Sequence, residues 1–439
     1  MISRIERIFL IYLLVAAIIL LLLRKVEVIF MGTFKQLHPI SLHIIIGTLF
    51  ARLTTFMTFP FLAIYLTKYK GVSAVEAGTI IGTSALVSIF GGFFGGHLSD
   101  RFGRKQIMLY SIFVWVFVYV GFALADHVIM FFILNALNGL CRSFFEPSSR
   151  ALLSDVTEQE NKLLVFNLRY AAINVGAAIG PLVGLKIGSA SSNSAFLITA
   201  IVYFLYGVSL VYMFQKEHAG SLKEATVHEE RVTFTKACRV LLHDKIFSAA
   251  LLGITLGVAG YSQFSSTIPQ YLSSSPHFKN GVALYSYLIV VNAITVLVTQ
   301  YPVSRIGKYY SPLTSIMIGT FTVGTGLFLF GLTQETWLLI FAMIVFTVGE
   351  VMMFSMTDLF IDQIAKPNMK GLYFGAMGFT SAGGAFGPAI GGFLISYIGF
   401  SHSASLFGAL ALLSICGFPF LLFVSHMLKT NRRGISQGI

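Results

Sequence analysis

Apolar runs of about 20 residues, the length that a helix needs to cross roughly 30 Å of hydrocarbon, follow one another along the chain. Twelve runs after residue 40 meet this requirement. Their approximate cores are 42–66, 75–98, 107–125, 128–151, 164–188, 194–214, 246–272, 281–303, 312–332, 336–360, 371–398 and 402–427. The sequence therefore predicts an all-α membrane protein with twelve transmembrane helices, called spans 1 to 12 below.

Composition excludes most soluble classes. Of 439 residues, 56% are hydrophobic and 11% are charged, and the mean hydropathy is +0.81. Soluble domains carry about 25% charged residues. The net charge of +12 is unevenly distributed and does not indicate nucleic-acid binding. Three scattered cysteines, Cys141, Cys238 and Cys416, favour neither a disulfide framework nor a zinc site. The histidines form no metal-ligand pattern, and there is no phosphate-binding loop for ATP.

One long polar stretch, from Gln215 to Asp244, divides the spans six and six. Its later part, 229–243, either forms an amphipathic helix on the membrane surface or is solvated. The predicted organisation is an N-terminal extension at 1–40, a six-helix bundle at 41–214, a linker at 215–245, a second six-helix bundle at 246–428 and a tail at 429–439.

Residues 1–30 do not fit the twelve-span plan. They contain a short apolar run at 8–23 with basic residues on both sides. The run is a thirteenth helix, an uncleaved anchor, or a consequence of the chosen start site. We favour a dispensable extension or a start-site artefact, since Met31 would be a natural beginning for the rest. No small-residue cleavage pattern follows the run, which argues against a signal peptide.

Lysine and arginine bias predicts the orientation. One set of loops carries most of the bases near span ends, including those around Arg101, those of 216–245, and the tail. We therefore expect a multi-pass protein of the cell (inner or plasma) membrane with the linker and the C-terminus in the cytoplasm.

The two halves repeat each other at a spacing of about 207 residues. The Gly-rich segment that begins at Gly176 in span 5 reappears at Gly383 in span 11. Pro60 corresponds to Pro269, and Asp155 to Asp362. Such repeats indicate two bundles that rock about a central site.

The loop between spans 2 and 3 reads Gly-His-Leu-Ser-Asp-Arg-Phe-Gly-Arg-Lys from Gly96 to Lys105. Gly103 permits a tight turn, and the bases keep the loop inside. The loop resembles the G-x-x-x-D-R-x-G-R-K motif of the major facilitator superfamily. The resemblance covers about residues 40–430 and implies twelve helices in two pseudo-repeated six-helix bundles. It also implies a cytoplasmic latch, whose residues here are Gly96, Asp100, Arg101, Gly103, Arg104, Lys105 and Asp155, with a weaker twin at Arg305, Lys308 and Asp362.

Spans 5 and 11 carry Gly-x-x-x-Gly-Pro segments that suit close helix packing and a bend. They resemble the antiporter motif of the drug:proton antiporter branch, although close packing alone would also explain them. The residues are Gly176, Gly180, Pro181 and Gly184 in span 5, and Gly383, Gly387, Pro388 and Gly391 in span 11.

Charged residues inside predicted spans are costly and usually mark a pathway. We assign six of them to the hydrocarbon region: Arg52, Arg142, Glu146, Arg169, Glu350 and Asp358. All but Arg169 lie on spans 1, 4 and 10, which together with span 7 line the cavity in the family. The predicted cavity residues are Arg52, Asn135, Arg142, Glu146, Tyr261 and Gln263. Asn135 stands where the family places an arginine, and Asn135 and Asn138 also read as helix–helix hydrogen bonders.

Glu350 is the predicted proton-coupling residue, and Asp358 is assigned with it, as a gate or interfacial residue. Arg142 and Glu350 each lie roughly 21 Å from the outer ends of their helices, so we expect them to pair directly or through water. A static pair with Arg142 or Arg52 is the alternative role of Glu350.

The resemblance implies proton-coupled export of amphiphilic or cationic small molecules by alternating access. We expect no enzymatic activity and no cofactor, since the proton gradient drives transport, and a monomer whose partners are the solute, protons and the bilayer. An uptake symporter and a lipid or glycolipid flippase, with the buried arginines on a phosphate, remain alternatives, and a non-transporting sensor is a third.

Overall fold

The computed structural model describes residues 37–72, 74–187, 193–218, 234–274, 277–278, 280–306, 310–366 and 368–436. Twelve helical spans lie in these ranges and confirm the predicted fold class. Helices suit a bilayer because each satisfies its own backbone hydrogen bonds. The apolar run at 8–23, the first part of the linker, and Lys308 lie outside the described residues.

The first half contains spans 1 to 6, at Pro39–Ile64, Ala74–Phe102, Arg104–Leu124, Val128–Val156, Lys162–Lys186 and Ser194–His218. The linker contributes a helix at Phe234–His243. Spans 8 to 10 are Gly281–Ile306, Pro312–Leu332 and Thr336–Ile364. The remaining spans are interrupted: span 7 is Lys245–Tyr261 and Thr267–Ser274, span 11 is Lys370–Ala376 and Ser381–Ile398, and span 12 is Ser403–Ile415 and Phe418–Ser436.

Eleven stretches within the described residues are long and apolar enough to cross a membrane. Span 8 has a shorter apolar core, Tyr287–Gln300. Its helix nevertheless has 26 residues, which at about 1.5 Å per residue exceeds the hydrocarbon thickness.

The Gly-rich repeats make equivalent contacts in the two halves. In the first half, a Cβ added to Gly176 would lie 2.8 Å from the Cβ of Arg52 in span 1. In the second half, a Cβ added to Gly383 would lie 2.9 Å from the backbone nitrogen of Ala259 in span 7. Only glycine leaves room for these backbones to approach, so span 5 packs on span 1 as span 11 packs on span 7.

The halves meet at one end of the bundle. We call it the linker side, because the Tyr373 hydroxyl of span 11 there donates to Asp244 (2.5 Å), the residue between the linker helix and span 7. Spans 2 and 11 are in backbone contact at this end: a Cβ on Gly92 would lie 2.9 Å from the carbonyl oxygen of Gly375. Phe166 of the first half packs on Phe374 of the second, with ring centroids 6.1 Å apart. The linker side is therefore closed in this structure.

Candidate functional site

A cavity of about 290 Å³ lies within the first half, between spans 1, 2, 3, 4 and 6. Its walls are largely aromatic, and its charged groups come from spans 1 and 4. The aromatic lining is Phe56, Phe59, Trp115, Phe145, Tyr203 and Tyr206, and the charged lining is Arg52, Arg142 and Glu146.

Hydrogen bonds between the spans hold the polar lining in place. The indole nitrogen of Trp115 donates to the Asn138 Oδ1 (2.7 Å), and the Asn138 Nδ2 donates to the Ser84 Oγ (3.1 Å). The hydroxyls of Thr55 and Tyr203 are 3.0 Å apart. The cavity wall is thus preorganised by contacts among spans 1, 2, 3, 4 and 6.

Glu146 is neutralised by two arginines. One carboxylate oxygen pairs with Arg52 of span 1, and the other pairs with Arg169 of span 5. Arg142, one helical turn before Glu146, is exposed and forms no hydrogen bond or ion pair with any residue that the structure describes. The charged groups of the cavity therefore have a positive surplus.

The charges continue from the cavity to the contact between the halves. Arg169 lies between Glu146 and Asp358 of span 10, with 3.2 Å between its Nη1 and the Asp358 Oδ2. Arg150 of span 4 pairs with the other Asp358 oxygen at 3.1 Å and donates to the Phe374 carbonyl at 3.4 Å. We call Arg52, Glu146, Arg169, Asp358 and Arg150 the charge network.

The predicted latch residues also come together at the linker side. Arg104 lies 3.5 Å from Asp100 and pairs with Asp155. Asp100 reaches the other half, where it accepts hydrogen bonds from the backbone amides of Gly371 (3.0 Å) and Leu372 (2.8 Å) at the start of span 11. A carboxylate is favourable there because the N-terminal end of a helix is electropositive.

The remaining latch residues have peripheral places. Gly103 has a φ of 98°, which favours glycine and makes the tight turn between spans 2 and 3. Arg101 lies over the Phe102 ring, and Lys105 over the Phe214 ring.

Asp362 has partners other than those expected for the twin of the latch. It pairs with Lys162 of span 5 (2.6 Å) and Lys370 of span 11 (2.7 Å), and it accepts a hydrogen bond from Ser154. The predicted partners were Arg305 and Lys308, but the side chain of Arg305 and all of Lys308 lie outside the described part. The lysine cluster places Asp362 in the contact between the halves.

Glu350 is separate from the cavity and is not paired with Arg142, contrary to the expectation from equal helix depth. Its carboxylate accepts a hydrogen bond from Asn292 of span 8 (2.8 Å). The Tyr261 hydroxyl is a further hydrogen-bond neighbour, and Tyr170 of the first half lies close enough to interact with it electrostatically. Glu350 is 4% exposed and forms no ion pair with any described residue.

The model of the Major Facilitator Superfamily matches residues 44–385 of this chain. The chain belongs to the major facilitator superfamily. It is 47% identical over 399 residues to the uncharacterized MFS-type transporter YqjV of Bacillus subtilis (strain 168), covering 91% of this chain and 97% of that protein. It is 26% identical over 406 residues to a Na(+), Li(+), K(+)/H(+) antiporter of Planococcus maritimus, covering 86% and 94%.

The fold of this major facilitator is also that of a solved structure. FucP, in its outward conformation, aligns with a TM-score of 0.71 at 14% sequence identity, covering 89% of this chain and 99% of that chain. The low identity limits this likeness to the fold. The chain is thus a multi-pass membrane transporter, and a small-molecule substrate and a bilayer are what this superfamily implies.

Two polar residues assigned to the cavity of this facilitator hold helices together instead. Asn135 is fully buried and donates to the backbone carbonyls of Ile80 and Ile81 in span 2. Gln263 is fully buried and donates to the Gly387 carbonyl of span 11 (2.9 Å). Buried side-chain amides are almost always hydrogen-bonded, and here the backbone carbonyls of neighbouring helices accept these bonds.

Tyr261 also lies elsewhere than in the first-half cavity. It stacks on Phe346 at 6.0 Å, on the side of Glu350.

The sequence analysis missed Arg150 as a member of the charge network and left Arg169 as an exception. A signal for Arg150 was present: Arg142, Glu146 and Arg150 recur every four residues, which places them along one face of span 4. Arg169 could not be placed, because its partners come from spans 4 and 10, far away in sequence.

Proposed function

We propose that this facilitator is a proton-coupled antiporter that exports small amphiphilic molecules by alternating access, with Glu350 as the proton-linked group. The observation that carries the proposal is a buried carboxylate, near Tyr170 of the first half, for which the described residues provide no countercharge. Charge in such a place is costly, and intramembrane acids of this kind serve as proton carriers.

The surroundings of Glu350 suit reversible protonation. Asn292 donates to it from span 8, and Tyr170 of the other half lies near it. When the halves rock, the distance to Tyr170 and the access of water must change. Protonation would remove the charge that the present surroundings leave uncompensated, so a proton and the conformation are linked at this position.

The linker side supplies the gate for alternating access. Asp358 and Asp362 of span 10 each bind basic groups of the first half, and Asp100 binds backbone amides of the second. We expect these contacts to break when the linker side opens. With the linker in the cytoplasm, as lysine and arginine bias predicts, the closed side is the cytoplasmic side.

Two features favour export in exchange for protons. The Gly-x-x-x-Gly-Pro segments of spans 5 and 11 resemble the antiporter motif, and the structure packs both in equivalent ways. One relative is itself described as a cation/proton antiporter. That relative makes cation–proton exchange a second candidate function, but both oxygens of Glu146 are occupied by arginines, which leaves the cavity without a free carboxylate for a cation.

The test compares proton flux in inside-out vesicles that contain wild-type protein or Glu350→Gln. The lumen is acidified, and a pH-sensitive dye reports proton release on addition of ethidium, coumarin or naphthalene-1-acetate. We expect at least one probe to release protons with the wild type and none with Glu350→Gln.

Glu335→Gln is the matched control, since Glu335 is an exposed residue that immediately precedes the same span. It should behave like the wild type. Probe-driven proton release that survives in Glu350→Gln would refute the assignment of the proton to this residue.

A further inference from the structure

We infer that the transported molecule is an anion, and that Arg142 in the first-half cavity binds its carboxylate or other acidic group. The inference deepens the proposed function, since it names the substrate class of that transporter. It differs from the cationic solutes that the antiporter resemblance implies.

The first argument is the charge left over in the cavity. Arg52 and Arg169 neutralise Glu146, the single carboxylate among the residues that line the cavity. Arg142 adds a positive charge for which the described part of the chain provides no partner. A cationic solute would therefore meet repulsion from Arg142, whereas an anion would supply its missing partner.

The second argument is the accessibility of Arg142. The residue is exposed although it belongs to a membrane span. Since it lines the cavity, its exposed surface faces the cavity. An arginine inside a membrane almost always faces a partner or a water-filled path. Its planar guanidinium matches a carboxylate in a two-point contact, which gives orientation as well as affinity.

The third argument is the shape and chemistry of the wall. Phe56, Phe59 and Trp115 form an apolar surface beside the arginine. At about 290 Å³ the cavity is near the lower end of small-molecule sites, which span roughly 300–1,000 Å³. These properties suit an acid with one ring or a short chain, and the volume is small for a lipid with two acyl chains.

The experiment measures thermal stabilisation of purified full-length protein in phosphatidylcholine nanodiscs. Three probes share a naphthalene ring and differ in one group: naphthalene-1-acetate, its primary amide, and 1-naphthylmethylammonium. We expect the carboxylate to bind with an affinity roughly 10- to 100-fold above the other two, the range of a charge-assisted hydrogen-bond contact.

Arg142→Gln should lose that preference by a similar factor, while Arg142→Lys should keep part of it, because lysine retains the charge without the planar fork. Arg239→Gln is the control, since Arg239 is an exposed linker arginine outside the cavity. Phosphatidate added to the nanodiscs tests whether the bound anion can be a lipid headgroup as well as a free acid. If phosphatidate displaces naphthalene-1-acetate, the site also accepts a lipid headgroup.

Equal or stronger binding of the ammonium probe overturns the inference, as does no binding by any probe, or an unchanged carboxylate affinity in Arg142→Gln. Size-exclusion profiles of the variants separate these outcomes from misfolding. Binding does not require coupling, so Glu350→Gln should still prefer the carboxylate even if proton-coupled export is absent.

Discussion

Asp358→Asn should open the linker side. Asp358 lies on span 10 of the second half, and both of its partners, Arg150 and Arg169, belong to the first half. The substitution keeps the shape of the side chain and removes its charge. Both ion pairs across the contact are thereby lost, while the folding of each half is left intact.

The magnitude follows from burial. The pairs are 3.1 and 3.2 Å long, and the side chains of Asp358 and Arg169 are 20% and 6% exposed. Removing one partner of a buried pair costs about 3–5 kcal/mol. We take about 2–3 kcal/mol here, because Asp358 is partly exposed and Arg169 keeps its pair with Glu146. This shifts the closed-to-open ratio by roughly 30- to 150-fold.

Double electron–electron resonance between spin labels measures that ratio. Labels at Glu158 and Lys366 fit the purpose, since both are exposed at the linker side and lie in different halves. The native cysteines are first replaced by serine. In Asp358→Asn we expect a longer distance to gain population at the expense of the wild-type distance.

Asp126→Asn is the control for charge removal. Asp126 pairs with Lys70 between spans of the first half, away from the contact between the halves. Its distance distribution should match that of the wild type. If Asp358→Asn also matches the wild type, the charge network does not hold the linker side closed, and the reasoning fails.

Two further predictions concern packing and pH. Gly371→Val should open the linker side, because a Cβ at this position would lie 2.8 Å from the Asp100 carboxylate and overpacking costs about 1–3 kcal/mol. The same spin-label measurement checks this, and an unchanged distance distribution would contradict it. The hydrogen bond from Lys70 lowers the pKa of Asp126, so the pair contributes stability above the ordinary carboxylate pKa and loses it as pH falls through the lowered one. The midpoint temperature of thermal unfolding should therefore be slightly higher for the wild type than for Asp126→Asn at neutral pH, and the two should converge in acid. A difference that persists in acid would contradict this.

The helices and the proximity of Asp100 to Arg104 were predictable because their signals are local. A run of apolar residues identifies a span without knowledge of its neighbours. The loop from Gly96 to Lys105 likewise placed Asp100 near Arg104, four residues apart on adjoining helix ends. Such features follow from short stretches of sequence, and the structure reproduces them.

Pairing between distant charges was not predictable in the same way. Equal depth suggested that Arg142 pairs with Glu350. However, the depth of a residue along its helix does not determine the direction in which its side chain projects. Span 4 turns Arg142 into the cavity of its own half, while span 10 turns Glu350 toward Asn292. The rotation of each helix about its axis is set by packing against its neighbours at small residues. The sequence shows where small residues lie, but not which neighbouring helix packs on them.

The arrangement of Glu146 indicates how substrate and gate are connected. One of its oxygens holds Arg52, which lines the cavity, and the other holds Arg169, which also holds Asp358 of the opposite half. An anion that draws Arg52 toward the cavity competes with Glu146 for that arginine. Glu146 then interacts more strongly with Arg169, which weakens the hold of Arg169 on Asp358. Binding in the cavity and opening of the linker side would thus be linked through one carboxylate that two arginines share. This is a physical connection between a binding site and a contact that has a closed and an open state.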